Sequence, residues 1–497
     1  MWWGLPPGTA ADRVYSWGSD ELGPLGPAAE LYNVFFGRRV PYNPQYPLLQ
    51  YFLQALAVGP YLFWLWLTGG LRDPATTFPF GLADPQAALA AMTLLCRLPS
   101  LLMGAAIPVI ALRTAGILWD RKAGRIAGAL AAVSYPAFYY ARTSNVDLPA
   151  LFWTSLGLGV YAACLRGSIS TRRLIWMGVF AALATATKDP SYGAFLPAGA
   201  VLAAIHWRTQ ARAAWKPLLA ACGAAVAVYL VASGLVFNWD RYWQHLLFIT
   251  HGSDRYPGFW YYSSPATLAG YASLLGTTLG RLVDSLGLPQ MLAAAAGLVL
   301  CWRRERRLLW WALPAAGVLL LVVAPVRFVL FRHVMVIAYV LSLLAAYGLS
   351  RIPKPGVAGL GCMLVCGWCL IRGADLTWQM LRDPRYEAAA WLSRNVRAGD
   401  RVAYFGKDDT WKLPALPPQA RWIEGIEQRP EFVLLIPNQD FESEHEVSVS
   451  AQTYAALNDG SLGYQKVLEI QTASLFASRP VSFVNPPVKV YARKNRR

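Results

Sequence analysis

The chain has 497 residues, of which 56% are hydrophobic and 13% aromatic, and its formal net charge is +17. That is too apolar for a soluble protein of two or three domains and describes a polytopic membrane protein. The 45 Lys and Arg against 28 Asp and Glu fall in short clusters between apolar runs, the pattern of cytoplasmic loops facing anionic lipid rather than of a nucleic-acid surface.

In chain order, a polar stretch comes first and carries an acidic pair, Asp20 and Glu21. It contains no signal peptide and no apolar run able to carry it across a membrane. Tyr46 to Leu67 is apolar enough to span, but counting it as a span would invert the order of the basic loops. Its Tyr, Phe and Trp content suits a helix lying in or dipping into the outer interface. A span needs about 20 apolar residues, and on that basis segments fall near 89–118, 126–141, 146–165, 174–187, 191–206, 217–236, 288–302, 308–324, 334–350 and 357–372. Pro265 to Gly287 shares the ambiguity of the Tyr46 stretch.

Orientation follows from the basic clusters Arg121/Lys122/Arg125, Arg166/Arg172/Arg173, Arg208/Arg212/Lys216, Arg303/Arg304/Arg306/Arg307 and Arg351/Lys354, which occupy every second loop and so face the cytoplasm. The connections around Arg142 to Asp147, Lys188 to Pro190, Phe237 to Ser264 and Pro325 to His333 then face the other side, as do both termini. An outer N-terminus with no carrier of its own predicts an upstream helix that precedes this sequence. The alternative is a short tail translocated by the helix that follows it.

From Asp375 the charge density rises. An amphipathic stretch, Tyr386 to Asn395, leads into Asp400 to Phe405, Phe432 to Ile436, a polar helical stretch at Ala451 to Asn458, and short strands around Val467 and Val490. This reads as a small α/β domain on the non-cytoplasmic side. The expected organisation is residues 1–88 as a first outer loop with the acidic pair and interfacial helix, 89–372 as the transmembrane domain, and 373–497 as the outer α/β domain. There is no internal repeat, Gly-rich phosphate loop or low-complexity segment.

All seven cysteines lie in or beside apolar segments, so no disulfide framework is implied. Cys362, Cys366 and Cys369 share one helical face, but with no His or carboxylate neighbours they read as small packing residues.

Ionisable groups at membrane depth are costly and mark functional candidates. Those at the outer end of the array are Asp20, Glu21, Arg97, Arg142, Asp147, Lys188, Asp189, Arg327, Arg332 and His333. The bland alternative for each Arg or Lys is snorkelling to the interface, and for Asp147 it is N-capping of the helix it heads. The outer connection Asn238 to Ser264 holds Trp239, Trp243, His245, His251, Asp254, Phe259, Trp260, Tyr261 and Tyr262. It is either a sugar-stacking lid or an interfacial aromatic belt.

Taken in order, these residues resemble the GT-C glycosyltransferases. The resemblance rests on Ser19-Asp20-Glu21, Tyr46-Pro47-Leu48-Leu49, Arg97-Leu98-Pro99-Ser100, Pro136 and Asp147, Thr187-Lys188-Asp189-Pro190, Arg332-His333, and Ala388 to Asp400. It covers residues 12 to 410 and is nearest the branch of protein O-mannosyltransferases and lipid A aminoarabinose transferases. It implies a GT-C-like fold of about ten spans, and an inverting transfer of sugar from a polyprenyl-phosphate donor to a hydroxyl acceptor (lipid, glycan or protein). The setting it implies is a bacterial inner (plasma) membrane with the site facing the periplasm or exterior.

By the same resemblance, Asp20 is the general base with Glu21 as the alternative, and Asp147 orients acceptor or base. Arg97, Lys188, Arg332, His333 and Tyr46 contact the substrate. Tyr46 stands where the aminoarabinose enzymes place a basic residue, so a lysine–phosphate contact is not expected there. Asp20 and Glu21 with His251 or His333 could gather a divalent ion, but their spacing does not require one, and no obligatory metal or other cofactor is expected. Two other readings are a transporter, against which stands the lack of repeated halves, and a non-catalytic polyprenyl-lipid-binding relative.

Overall fold

A computed structural model describes residues 1–10, 13–18, 20–37, 45–210, 215–253, 256–257, 264–406, 410, 412–417, 420–436, 449–476, 481 and 484–494. Helices in chain order are α1 Gly26–Phe36, α2 Leu49–Leu67, α3 Pro85–Leu118, α4 Arg121–Ala132, α5 Tyr135–Tyr140, α6 Asp147–Arg166, α7 Thr171–Thr187, α8 Tyr192–Gln210, α9 Trp215–Ala232 and α10 Trp239–His251. After a two-residue ladder, β1 Gly252–Ser253 with β2 Tyr256–Pro257, come α11 Leu268–Leu286, α12 Leu288–Arg304, α13 Leu313–Val318, α14 Ala324–Val326, α15 Met335–Ser350 and α16 Pro355–Leu381. Then follow α17 Pro384–Asn395, β3 Arg401–Tyr404, β4 Arg421–Glu424, β5 Phe432–Leu435, α18 Ala451–Asn458, β6 Tyr464–Ile470 and β7 Val488–Arg493.

Among the described residues six helical runs are long and apolar enough to cross a membrane, and up to seven if α11 and α12, bent by 105°, count as one broken span. The apolar runs expected from the sequence are helical, with three differences. The segment placed at 126–141 is two helices, because Pro136 lacks the N–H that a continuous helix needs, and the chain breaks at Ser134. The segment placed at 357–372 continues to Leu381. Its added carboxylate is satisfied within the fold: Asp375 accepts from the Ser474 hydroxyl at 2.6 Å and the Leu475 N–H at 2.8 Å. Finally, the connection 237–264 contains α10, whose start is set by Asn238: its side-chain oxygen accepts from the Arg241 N–H at 2.9 Å.

The chain divides into two compact units. The first comprises Met1–Pro24, Gly59–Leu95 and Ala374–Arg497. It contains a five-stranded sheet of order β4-β3-β5-β7-β6, in which β4, β3 and β5 run parallel while β7 is antiparallel to both β5 and β6. Central β5 is buried throughout. Period-two alternation sends Phe432 and Leu434 to the face shared with Ala388 and Leu392 of α17, and Val433 and Leu435 to the face shared with Leu457 of α18.

The second unit, Leu25–Val58 with Cys96–Gly373, is helical. α15 is buried along its length and is flanked by α4 and α12, while α6 packs on α7 and α7 on α9. Small residues make the close crossings, as they do where apolar lipid offers no hydrophobic gain for helix association. A Cβ on Gly348 of α15 would stand 2.4 Å from the Ala293 carbonyl oxygen, and one on Gly297 of α12 would stand 2.0 Å from that of Leu344. Gly348→Ala therefore must push α12 and α15 apart. The expected cost is about 1–3 kcal/mol, read as a lower unfolding midpoint in detergent; an unchanged midpoint would show that the crossing is not tight.

Candidate active site

The polar centre of the helical unit is built where α6 begins and α7 ends. The turn before α6, Thr143 to Val146, is buried although three of its four residues are polar. Its carbonyls are held from two helices: Gln54 of α2 donates to the Ser144 oxygen at 3.0 Å, and Ser100 of α3 to that of Asn145 at 3.3 Å. This fixes Asp147 as the first residue of α6. Its side chain makes no capping bond, which corrects the N-cap alternative. Instead Asp147 Oδ1 accepts from Lys188 Nζ, in an ion pair whose side chains are 1% and 14% exposed. Asp147 Oδ2 is buried with no hydrogen-bond partner among the described residues.

Lys188 reaches this position because α7 stops at Thr187. Pro190 lies just ahead and has no N–H with which to continue the ladder of α7, and Lys188 itself is extended at φ −154° and ψ 116°. The next residue, Asp189, opens a short 3-10 turn, and its Oδ1 lies 3.2 Å from His245 Nε2 on α10. His245 is fully buried.

A further ion pair fixes α10. Arg241 donates to Glu30 Oε2 of α1 at 3.0 Å and to the Tyr46 carbonyl at 3.0 Å, and Asn238 donates to the Asn33 carbonyl at 3.0 Å. Arg241 and Glu30 are each about 1% exposed. Tyr46 is thus held by its backbone, and its hydroxyl accepts from Gln45 Nε2 at 3.0 Å, which leaves its own proton to donate. Burial first, then the Asp147 carboxylate, the Tyr51 and Tyr140 phenols and the Asp189 carboxylate, push the Tyr46 phenol well above its ordinary range. Tyr46 therefore remains a neutral donor wherever the protein is folded.

Arg97, on α3, is fully buried. Arg332 and His333 lie on the turn Phe331–Val334 that leads into α15. His333 Nδ1 accepts from the Leu330 N–H at 3.2 Å, which leaves Nε2 to carry the ring proton, and the ring lies within Coulombic reach of Lys188 and Arg332. The helical unit thus brings Tyr46, Asp147, Lys188 and His333 together, and adds Asp189 with His245.

Asp20 and Glu21 belong to the sheet-bearing unit. Asp20 adopts a left-handed φ of 58°, a conformation open to Asp through its short polar side chain. The Glu21 carboxylate folds back over its own turn, so that a Cβ on Gly18 would stand 1.9 Å from Oε1.

Ser19, Asp254, Phe259, Trp260, Tyr261 and Tyr262 lie outside the described residues, as does the side chain of His251. Trp239 and Trp243 are exposed and stacked at 6.1 Å, on the side of α10 away from buried Arg241 and His245. Among the described residues no three His, Cys, Asp or Glu side chains converge in a way that could hold a metal. Sequence reasoning missed Glu30, Asn33 and Arg241. The one available signal was Glu30, a carboxylate inside an otherwise uncharged helix.

Residues 90–237 match the family model described as dolichyl-phosphate-mannose-protein mannosyltransferase. No curated protein matches the chain. Among solved structures, ArnT from Cupriavidus metallidurans in the apo state is 13% identical, with 98% of this chain and 94% of that one covered and a TM-score of 0.51. The same protein bound to undecaprenyl phosphate aligns at 13% identity over 97% and 95% of the two chains with a TM-score of 0.47. The apo oligosaccharyltransferase of Archaeoglobus fulgidus aligns at 11% identity over 98% and 87%, also with a TM-score of 0.47. The chain resembles the GT-C membrane glycosyltransferases both in the matched sequence segment and, through apo ArnT, in its fold.

The buried pair also yields an energetic expectation. Lys188→Met strands a buried carboxylate and should destabilise the protein by about 3–5 kcal/mol. Adding Asp147→Leu should recover most of that stability. Thermal unfolding of the two single variants and the double variant in detergent measures the coupling, and purely additive losses would show that the pair is not coupled.

Proposed function

We propose that this chain is an inverting glycosyltransferase that moves a sugar from a polyprenyl-phosphate donor to a hydroxyl acceptor on the non-cytoplasmic face of a bacterial inner membrane. In this reading about ten segments lie in the membrane, including helices shorter than a full span, and the sheet with α17 and α18 forms an α/β domain outside it. The carrying observation is the buried ion pair Asp147–Lys188 with its neighbours Tyr46 and His333, because both members of the pair lie within the matched family segment. A membrane-embedded chain keeps such groups at a cost unless they serve chemistry.

The reaction sets distinct demands. The acceptor hydroxyl must lose its proton as its oxygen attacks the anomeric carbon, and a carboxylate within hydrogen-bond reach meets that need. We assign this to Asp20, the acidic position to which the GT-C resemblance points, with Glu21 as the alternative. The bond from the anomeric carbon to the phosphate oxygen breaks as the new glycosidic bond forms, and a single displacement inverts the centre. The departing phosphate keeps the electron pair and needs cations and donors rather than a proton. Lys188, Arg97 and Arg332 supply charge, while Tyr46 and His333 Nε2 supply neutral donors. Asp147 holds Lys188 in place and can orient the acceptor through Oδ2. The polyprenyl tail would lie among apolar helices. The family matched over residues 90–237 is named for dolichyl-phosphate-mannose, a sugar on a polyprenyl phosphate.

Asp20→Asn keeps the size of the side chain but cannot accept the proton, so sugar transfer should fall at least about a hundredfold while expression and membrane insertion persist. Mass spectrometry of lipids and glycans from a deletion strain carrying each form reads the outcome, and normal product from the variant would remove Asp20 from the role of base. For sidedness, single cysteines replacing Asp20 and Asp459 should react with an impermeant maleimide added from outside, and one replacing Arg172 only after the membrane is opened. The reverse pattern would overturn the assigned face.

A further inference from the structure

The sheet-bearing unit contains a buried charge centre that no role above uses. Asp383 and Arg385 are both completely buried. The Asp383 carboxylate accepts from Arg385 Nε at 2.8 Å and Nη2 at 2.7 Å, from the Arg385 N–H at 3.1 Å, from Trp3 Nε1 at 3.0 Å and from the Asn485 N–H at 3.2 Å. The Arg385 guanidinium stands 4.0 Å from the ring centre of Trp17 and 5.6 Å from that of Trp3. A paired charge of this kind adds little net stability over a hydrophobic core, but it defines a single geometry for whatever it touches. What it touches is the N-terminal segment.

The same segment is tied down along its length. Trp17 Nε1 donates to the Leu413 carbonyl at 3.2 Å and its ring packs on Tyr386 at 4.8 Å. Arg13 donates to the Thr410 carbonyl at 2.7 Å and lies over Trp422 at 5.0 Å. The Gly4 N–H donates to the Tyr386 hydroxyl at 3.0 Å, and the Trp17 N–H closes back on the Gly4 carbonyl at 2.9 Å. A Cβ on Gly4 would stand 2.6 Å from Trp17 Cβ, and Gly4 has a φ of +60°, so only glycine lets the two ends of this loop meet. Trp17 is three residues from Asp20, and the Glu21 N–H, next to Asp20, donates to the carbonyl of Gly18, next to Trp17, at 3.4 Å.

We infer that Arg385 is a positioning residue: held by Asp383 and stacked on Trp17, it makes the C-terminal domain the mount that fixes the backbone carrying Asp20. This deepens the proposed function and rests on Asp20 being the base. It also gives the C-terminal domain a part in the reaction that none of its own side chains performs directly. A misplacement of about 1 Å is enough to cost a catalytic group up to a hundredfold in rate.

The test uses the full-length protein in detergent, with membranes from a deletion strain supplying both donor and acceptor. Arg385→Lys keeps the charge but loses the planar, two-pronged grip and the stacking. Trp17→Ala removes the stacking from the other side and leaves the Asp383–Arg385 pair within α17 and its cap intact. Both should raise hydrogen–deuterium exchange at residues 13–18 and 20–24 and lower kcat by about tenfold or more. The half-saturating amount of membrane should stay within about twofold of wild type, as expected when positioning rather than binding is lost. Trp17→Phe, which retains an aromatic face, should recover most of the rate. Unchanged exchange in both variants, or a loosened segment with wild-type kcat, would overturn the inference. Full activity of Asp20→Asn would overturn the catalytic reading itself, whereas an inactive Asp20→Asn beside a normal Arg385→Lys and Trp17→Ala would defeat the inference alone.

Discussion

Buried ion pairs recur where this chain holds irregular backbone in place: Asp147–Lys188, Glu30–Arg241 and Asp383–Arg385. The physics is the same in all three. An isolated charge loses several kcal/mol of hydration on burial, so it persists only where the fold brings a counter-ion and further hydrogen bonds to it. The converse also applies. Once a charge is buried, its partner and that partner's backbone have little freedom to move, because any displacement re-exposes the desolvation penalty. The start of α6, the end of α7, the approach of Tyr46 and the N-terminal loop are all held in this way.

Much of the membrane architecture was legible because a span declares itself locally. About 20 apolar residues between basic clusters need no knowledge of the rest of the chain. One misjudged boundary has a long-range cause. Where Asp375 raised the polarity the helix seemed to end, yet α16 continues to Leu381 because Ser474 and the Leu475 N–H, some hundred residues later, satisfy that carboxylate. The start of α17 shows the opposite case. Asp383 followed by Pro384 is a local cap-and-proline signal, and the structure shows Asp383 accepting from the Arg385 N–H.

The candidate site was legible residue by residue but not pair by pair. Asp147 and Lys188 stood out as charges at the ends of apolar helices, whereas nothing local said that one neutralises the other across 41 positions. Glu30 and Arg241, 211 positions apart, were harder still. Arg241 stands beside Trp239 and Trp243 in the sequence, and only its burial distinguishes it from a snorkelling side chain. Tyr46 was noticed as a departure from the resemblance; what the fold adds is that its backbone is gripped by Arg241 and its phenol is kept neutral.

The pairing of Lys188 constrains how the helical unit can receive an anion. Lys188 already spends its charge on Asp147, so a phosphate that captured the ammonium outright would strand a carboxylate that is 1% exposed. Sharing avoids that penalty: an ammonium has three donors, and one can stay on Asp147 Oδ1 while another turns to the phosphate. Neutral donors then carry the rest of the recognition without adding to the charge imbalance, and Tyr46 and His333 Nε2 are of that kind. On this account the proposed function does not need a basic residue ahead of Pro47, where this chain has Tyr46. Under the proposed function that tyrosine would let a buried site hold one anion while its ion pair stays intact.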